Sequence, residues 1–100
     1  MHSQNTLGKT LKSLREAKGL TLREAAETLE VDLSMLARIE KGQRSVSEAL
    51  FSRLADLFEV GERFLRTLSL ADQVYKEVEP YEFAEDALKI VQGEIKKKKQ

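Results

Sequence analysis

The sequence predicts an all-α fold, and three observations carry that prediction. One proline and five glycines leave few obligatory breaks in 100 residues. Apolar residues recur at spacings of three and four, the period that lines one face of a helix, and no sustained two-residue alternation marks a strand. Short capping and stopping signals stand between the periodic segments, as they do at helix ends.

Leu7, Leu11 and Leu14 make a first amphipathic helix near 7–18, closed by Gly19 where a left-handed residue is needed. Thr21-Leu22-Arg23-Glu24 is a capping box, in which hydroxyl and carboxylate each take up an otherwise orphaned N–H. It opens a second helix near 22–29 through Ala25, Ala26 and Leu29. Asp32 stands as the cap of a third, near 33–41, which turns Leu36 and Ile39 inward and ends at Gly42. Ser47, with Ser45 as a competing cap, starts a fourth near 47–58 along Leu50, Phe51, Leu54, Leu57 and Phe58. Gly61 then punctuates. Phe64, Leu68, Ala71, Tyr75 and Val78 follow at spacings of four and three, which predicts a helix over 62–78 with one narrow apolar seam. Pro80 breaks that run and suits the first turn of a last helix, 80–97, where Ala84, Leu88, Val91 and Ile95 share a line. The lysines at 96–99 complement the dipole of its C-terminus and keep that end solvated.

Seventeen basic residues balance seventeen acidic ones, and within residues 1–65 the count is ten against ten. No domain-wide positive field draws in nucleic acid, so such a contact must rest on local placement of charge. Without cysteine there is neither a disulfide nor a thiolate metal site. No apolar run approaches the roughly 20 residues of a membrane span, and the opening MHSQNTLGK lacks the apolar core of a signal peptide. The expectation is a soluble, cytoplasmic protein with no membrane contact. His2 is the only histidine and falls in a terminal stretch expected to lack fixed structure. There is no phosphate-binding glycine loop and no nucleophile beside a base, while Glu85 and Asp86 lie on a polar face where solvation explains them. The sequence predicts no enzyme, no cofactor and no metal site.

Function concentrates around Leu29-Glu30-Val31-Asp32, a tight turn joining two short helices in the helix-turn-helix arrangement. Ala26 is small where the helices cross, Val31 fills the corner, and Leu33, Ser34, Ala37, Arg38 and Lys41 remain on the outward side. Over about residues 7–60 the chain resembles the Cro/CI-type (XRE-family) helix-turn-helix repressors. LREAKGLTLREAAETLEV, LARIEKGQRS and SEALFSRLADLFEV carry the likeness, through the ordered set LRxxKGLT, AxxLxV, RIExG and RLAxLFxV. The resemblance implies a lambda-repressor-like domain in residues 1–61, with its third helix entering the major groove of double-stranded DNA. Residues 62–100 form a C-terminal helical extension. It also implies an ion pair between Arg15 and Glu40, which fixes the angle of the third helix and keeps Glu40 from phosphates.

Base contacts are then expected from Leu33, Ser34 and Arg38, since arginine is the commonest specific partner of guanine and leucine packs on a thymine methyl. Phosphate contacts are expected from Thr21 and Leu22 through their backbone N–H groups, and from Arg23, Lys41, Gln43 and Arg44. Several residues depart from the family pattern. Leu22 replaces a common glutamine, Glu30 the turn glycine and Asp32 the usual serine cap, while Leu33 and Met35 stand where polar side chains commonly reach DNA. Each change weakens the electrostatic term of binding. Met35 reads first as packing beneath the helix start.

One short helix makes too few contacts for useful specificity, so a homodimer on half-sites roughly 34 Å apart is expected. Phe64, Leu68, Ala71 and Tyr75 in one seam and Leu88 and Val91 in the other are its expected contacts; packing of the extension onto its own domain competes for the same residues. Two other readings use the same scaffold. One is a protein-interaction adaptor that binds through Leu22, Leu33 and Met35. The other is an antitoxin-like or protease-controlled repressor, whose residues 66–100 engage a regulatory protein.

Overall fold

A computed structural model describes residues 5–99, so His2 lies outside the described residues. Among them are six α-helices and no strand: α1 (Thr6–Ala17), α2 (Leu22–Leu29), α3 (Leu33–Glu40), α4 (Glu48–Phe58), α5 (Glu62–Val78) and α6 (Ala84–Lys98). No helix among the described residues is long and apolar enough to cross a membrane.

Five leucines are the most completely buried large side chains: Leu11, Leu29, Leu36, Leu54 and Leu65. They come one from each of α1 to α5, so the first five helices share a single core. Each such burial stabilises the fold by about 1.5–3 kcal/mol. Leu65 has no exposed surface, and Leu68 packs half-buried against the same cluster. The turn at Gly61 therefore separates two helices of one packed body, and the first half of the expected extension belongs to the core.

The helix ends show why the chain divides where it does. At the end of α2 the N–H of Val31 reaches the carbonyl of Ala26 at 3.0 Å and that of Glu30 reaches Glu27 at 3.2 Å, the two bonds of a Schellman turn. Glu30 occupies its left-handed position (φ 60°), as Glu59 does after α4 (φ 55°). Arg53 of α4 donates to the carbonyl of Leu29 at 3.0 Å, bracing that turn from within the domain. At the other end of the fold, Arg66 of α5 binds Glu62 and Glu48 and lies over the ring of Phe51, tying α5 to the start of α4.

One expected boundary is corrected. Pro80 does not open the last helix. Glu79 still has helical dihedrals (φ −51°, ψ −38°), and Tyr81 bonds back to Val78 at 2.9 Å, so Pro80 sits in the turn that closes α5. The rings of Tyr81 and Phe83 stack tilted 5.3 Å apart across the change of direction, and α6 begins only at Ala84. No residue of α6 is buried. The radius of gyration, 15.6 Å, exceeds the roughly 13 Å of a compact domain of this length, because α6 stands away from the core.

Candidate nucleic-acid interface

The capping box closes as its sequence implies. Thr21 Oγ1 accepts the N–H of Glu24 at 3.1 Å, and Glu24 Oε1 accepts the N–H of Thr21 at 2.8 Å. The backbone donor expected from Thr21 is therefore committed to Glu24. The open donors at this end of α2 are the N–H groups of Leu22 and Arg23, joined by the hydroxyl hydrogen of Thr21. Asp32 holds the N-cap position of α3, but its carboxylate makes no capping bond, which leaves it exposed beside the helix start.

Eight residues make α3 about 12 Å long, and its two sides differ sharply. Leu36 and Ile39 are each 2% exposed. Met35 is half-buried and packs against the core, as does Leu22 from α2. Ser34, Arg38 and Lys41 are exposed on the other side, with Leu33 beside them, and Gln43 and Arg44 continue that exposure into the following loop. No side chain of Arg23, Arg38, Lys41 or Arg44 pairs with another described residue. The structure thus brings Leu33, Ser34 and Arg38 onto one face, with Lys41, Gln43 and Arg44 at its far end and Leu22 and Arg23 across the turn.

What aims this face is a set of contacts from α1. Arg15 grips Glu40 with two bonds, Nε to Oε2 at 2.7 Å and Nη2 to Oε1 at 3.1 Å, and its Nη1 donates to the carbonyl of Leu20 at 2.9 Å. Both side chains are nearly enclosed, 12% and 8% exposed. The bond to Glu40 raises the Arg15 pKa above its already high value, so the guanidinium keeps its charge. Asn5 caps α1 by accepting the N–H of Gly8 at 3.1 Å, and its own Nδ2 donates to the carbonyl of Glu40 at 2.9 Å. This close approach requires glycine at position 8, where a Cβ would come within 2.5 Å of the Glu40 carbonyl oxygen and 2.6 Å of that of Ile39. Gly42 ends α3 at φ 77°, with Gln43 bonding back to the carbonyl of Arg38 at 2.8 Å.

A second brace comes from α5. Asp72 accepts the N–H groups of Thr6 and Leu7 on its two carboxylate oxygens, at 2.9 and 3.0 Å, and puts its charge at the positive end of α1. Neither composition nor periodicity points to Asn5, Gly8, Arg53 or Asp72. The only local signal among them is Asn-x-x-Gly at the head of α1.

The residues expected at a dimer interface do not share one environment. Phe64 and Tyr75 are 47% and 37% exposed and Ala71 is exposed beside them, whereas Leu68 turns inward to the core. Leu88 and Val91 are exposed on α6. Among the described residues no group of three His, Cys, Asp or Glu could hold a metal ion.

A family described as "Helix-turn-helix domain" matches residues 6–68, a span that includes Leu65. No curated protein matches the sequence. Among solved structures, the chain is similar to the restriction-modification controller protein C.AhdI from Aeromonas hydrophila. The identity is 34% and the TM-score 0.57, over 62% of this chain and 94% of that one. It is also similar to the clp gene regulator ClgR from Corynebacterium glutamicum, with 28% identity and a TM-score of 0.57 over 71% of this chain and 92% of that one. A further ClgR structure aligns with 94% of this chain and 95% of its own at 23% identity and a TM-score of 0.58, a likeness of fold that reaches into α6.

Proposed function

Because the chain belongs to the helix-turn-helix domain family, and is thus a DNA-binding regulator of transcription, we propose that it acts as a homodimeric repressor on a two-fold symmetric operator. In this reading α3 lies in the major groove. One observation carries it: Arg38, Lys41 and Arg44 are exposed along α3 and its following loop and have no partner among the described residues, while Glu40 is folded back onto Arg15. A nearly neutral chain thereby presents local positive charge on a helix whose angle is fixed from behind. Arg38 is assigned to guanine, Leu33 to a thymine methyl and Ser34 to a base edge. Lys41, Gln43 and Arg44 hold phosphates at one end, and Arg23, the Leu22 N–H and the Thr21 hydroxyl at the other.

Repression asks only that the protein occupy its site. The controller and the gene regulator to which the chain is similar support regulation of transcription in general. The division proposed is a DNA-binding unit in residues 1–61 and dimer contacts in residues 62–100, with α5 serving both. The adaptor reading loses ground, because Leu22 and Met35 pack against the core and only Leu33 is exposed.

The test is selection of bound duplexes from random DNA, followed by fluorescence anisotropy on the enriched sequence. A two-fold symmetric motif is expected. Arg38→Ala should cost about 1–3 kcal/mol on it and relax the preference for guanine at one position per half-site. Lys41→Ala should weaken all sequences alike and flatten the salt dependence by about one unit for each phosphate no longer neutralised. No preference of the wild-type chain for any selected sequence over random DNA would defeat the proposal.

A further inference from the structure

Leu88, Val91 and Ile95 form a line along α6 that nothing among the described residues covers: they are 37%, 50% and 52% exposed, and no residue of the helix is buried. A 15-residue helix of this kind is marginal in water by itself, and such a line at spacings of three and four fits a partner helix. The charges of α6 identify the partner. Its first turn carries Glu85 and Asp86, and its last turn Lys96, Lys97 and Lys98. Set parallel to a copy of itself, the helix opposes lysine to lysine and carboxylate to carboxylate. Set antiparallel, the basic end of each helix lies beside the acidic end of the other, and the two helix dipoles also oppose favourably.

We propose that α6 pairs antiparallel with the α6 of a second copy of this chain, about a two-fold axis near Val91. The proposal rests on the homodimer reading above and adds the surface and its orientation. A register that sets Leu88 against the partner's Ile95 brings each Val91 close to its own copy, and it sets Glu85, on the flank of the seam, level with the partner's Lys98 and the partner's Lys99, because each step forward on one helix is a step back on the other. Asp86 and Lys97 lie on the face turned away. The seam and the Glu85 carboxylate thus agree on one register.

The chain contains no cysteine, so introduced thiols report without background. The full-length Leu88→Cys and Ile95→Cys variants are oxidised separately and as an equal mixture. Antiparallel pairing yields a disulfide-linked species joining one of each in the mixture and little from either alone. In that register two copies of residue 88 lie roughly 10 Å apart along the axis, beyond the reach of a disulfide. Self-linking of Leu88→Cys would mean parallel pairing and overturn the proposal. So would a mixture that fails to link while sedimentation still finds a dimer; the homodimer reading then stands and α6 is not its interface. A wild-type monomer at micromolar concentration overturns both. As a second readout, Glu85→Lys should weaken the dimer severalfold, and adding Lys98→Glu and Lys99→Glu to the same chain should restore it. Unchanged dimerisation in the first of these variants, or no rescue in the second, also counts against the pairing. These three positions are exposed, so helicity by circular dichroism should not change.

Discussion

Glu40 places a carboxylate at the end of the helix proposed to face a polyanion, and Arg15 neutralises it in near-complete enclosure. The pair is sensitive to loss of one partner, because an enclosed carboxylate left alone keeps its desolvation cost without its counter-charge. Arg15→Ala should therefore lower unfolding stability by about 3 kcal/mol, read from urea melts. Arg15→Lys should recover less than half of that, since an ammonium cannot bond both carboxylate oxygens and the Leu20 carbonyl in the same fixed plane. A loss below about 1 kcal/mol for the alanine variant would make the pair a surface contact. No pH dependence should accompany it. A cation whose pKa is raised on folding contributes fully below its unfolded value and loses that contribution only above it, and for Arg15 both lie beyond the physiological range.

Among the elements, the turn between α2 and α3 shows both what local pattern can reveal and where it stops. Thr21-Leu22-Arg23-Glu24 announces its capping box because all the partners lie within four residues. Glu30 can be suspected of a left-handed conformation because the family places glycine there. Nothing about Glu59 announces the same conformation, which accompanies the bond from the N–H of Val60 back to the carbonyl of Ala55 at the end of α4. Glutamate in that region carries a steric cost that glycine avoids, offset in part by the greater freedom of glycine when unfolded. Glu30→Gly should raise stability by about 0.5–1 kcal/mol in thermal melts; a decrease would show that Glu30 makes a contact worth more than its strain. The bounds of α1 to α5 are legible for the same local reason. The bonds that aim α3 are not: Asn5 to Glu40, Arg53 to Leu29 and Asp72 to Leu7 join residues 35, 24 and 65 apart, and periodicity carries no information about such pairings. The seam of α5 misleads in part because Phe64 and Leu65 are adjacent, and the structure buries the second.

For the whole molecule, the central fact is that α5 belongs to the core and to the brace at once. A fragment ending at residue 61 loses Leu65, Leu68 and Asp72 together, baring the parts of α1 and α4 that α5 packs against and removing the carboxylate at the head of α1. Removing one buried leucine side chain costs about 2–5 kcal/mol, a large share of the roughly 5–15 kcal/mol that holds a typical domain folded. Residues 1–61 should therefore show weak helicity and no cooperative melt, whereas residues 1–80 should melt cooperatively. Circular dichroism against temperature checks both. Equal midpoints for the two fragments would mean that the first four helices stand alone.

The carboxylate of Asp72 also sets a clock. Chains leave the ribosome N-terminus first, at about 5–20 residues per second, so the end of α4 emerges roughly one to three seconds before the residue that caps α1. During that interval the surface bearing Arg38 rests on a core without its fifth helix. Until Asp72 emerges, a nascent copy lacks the two hydrogen bonds that brace the head of its first helix.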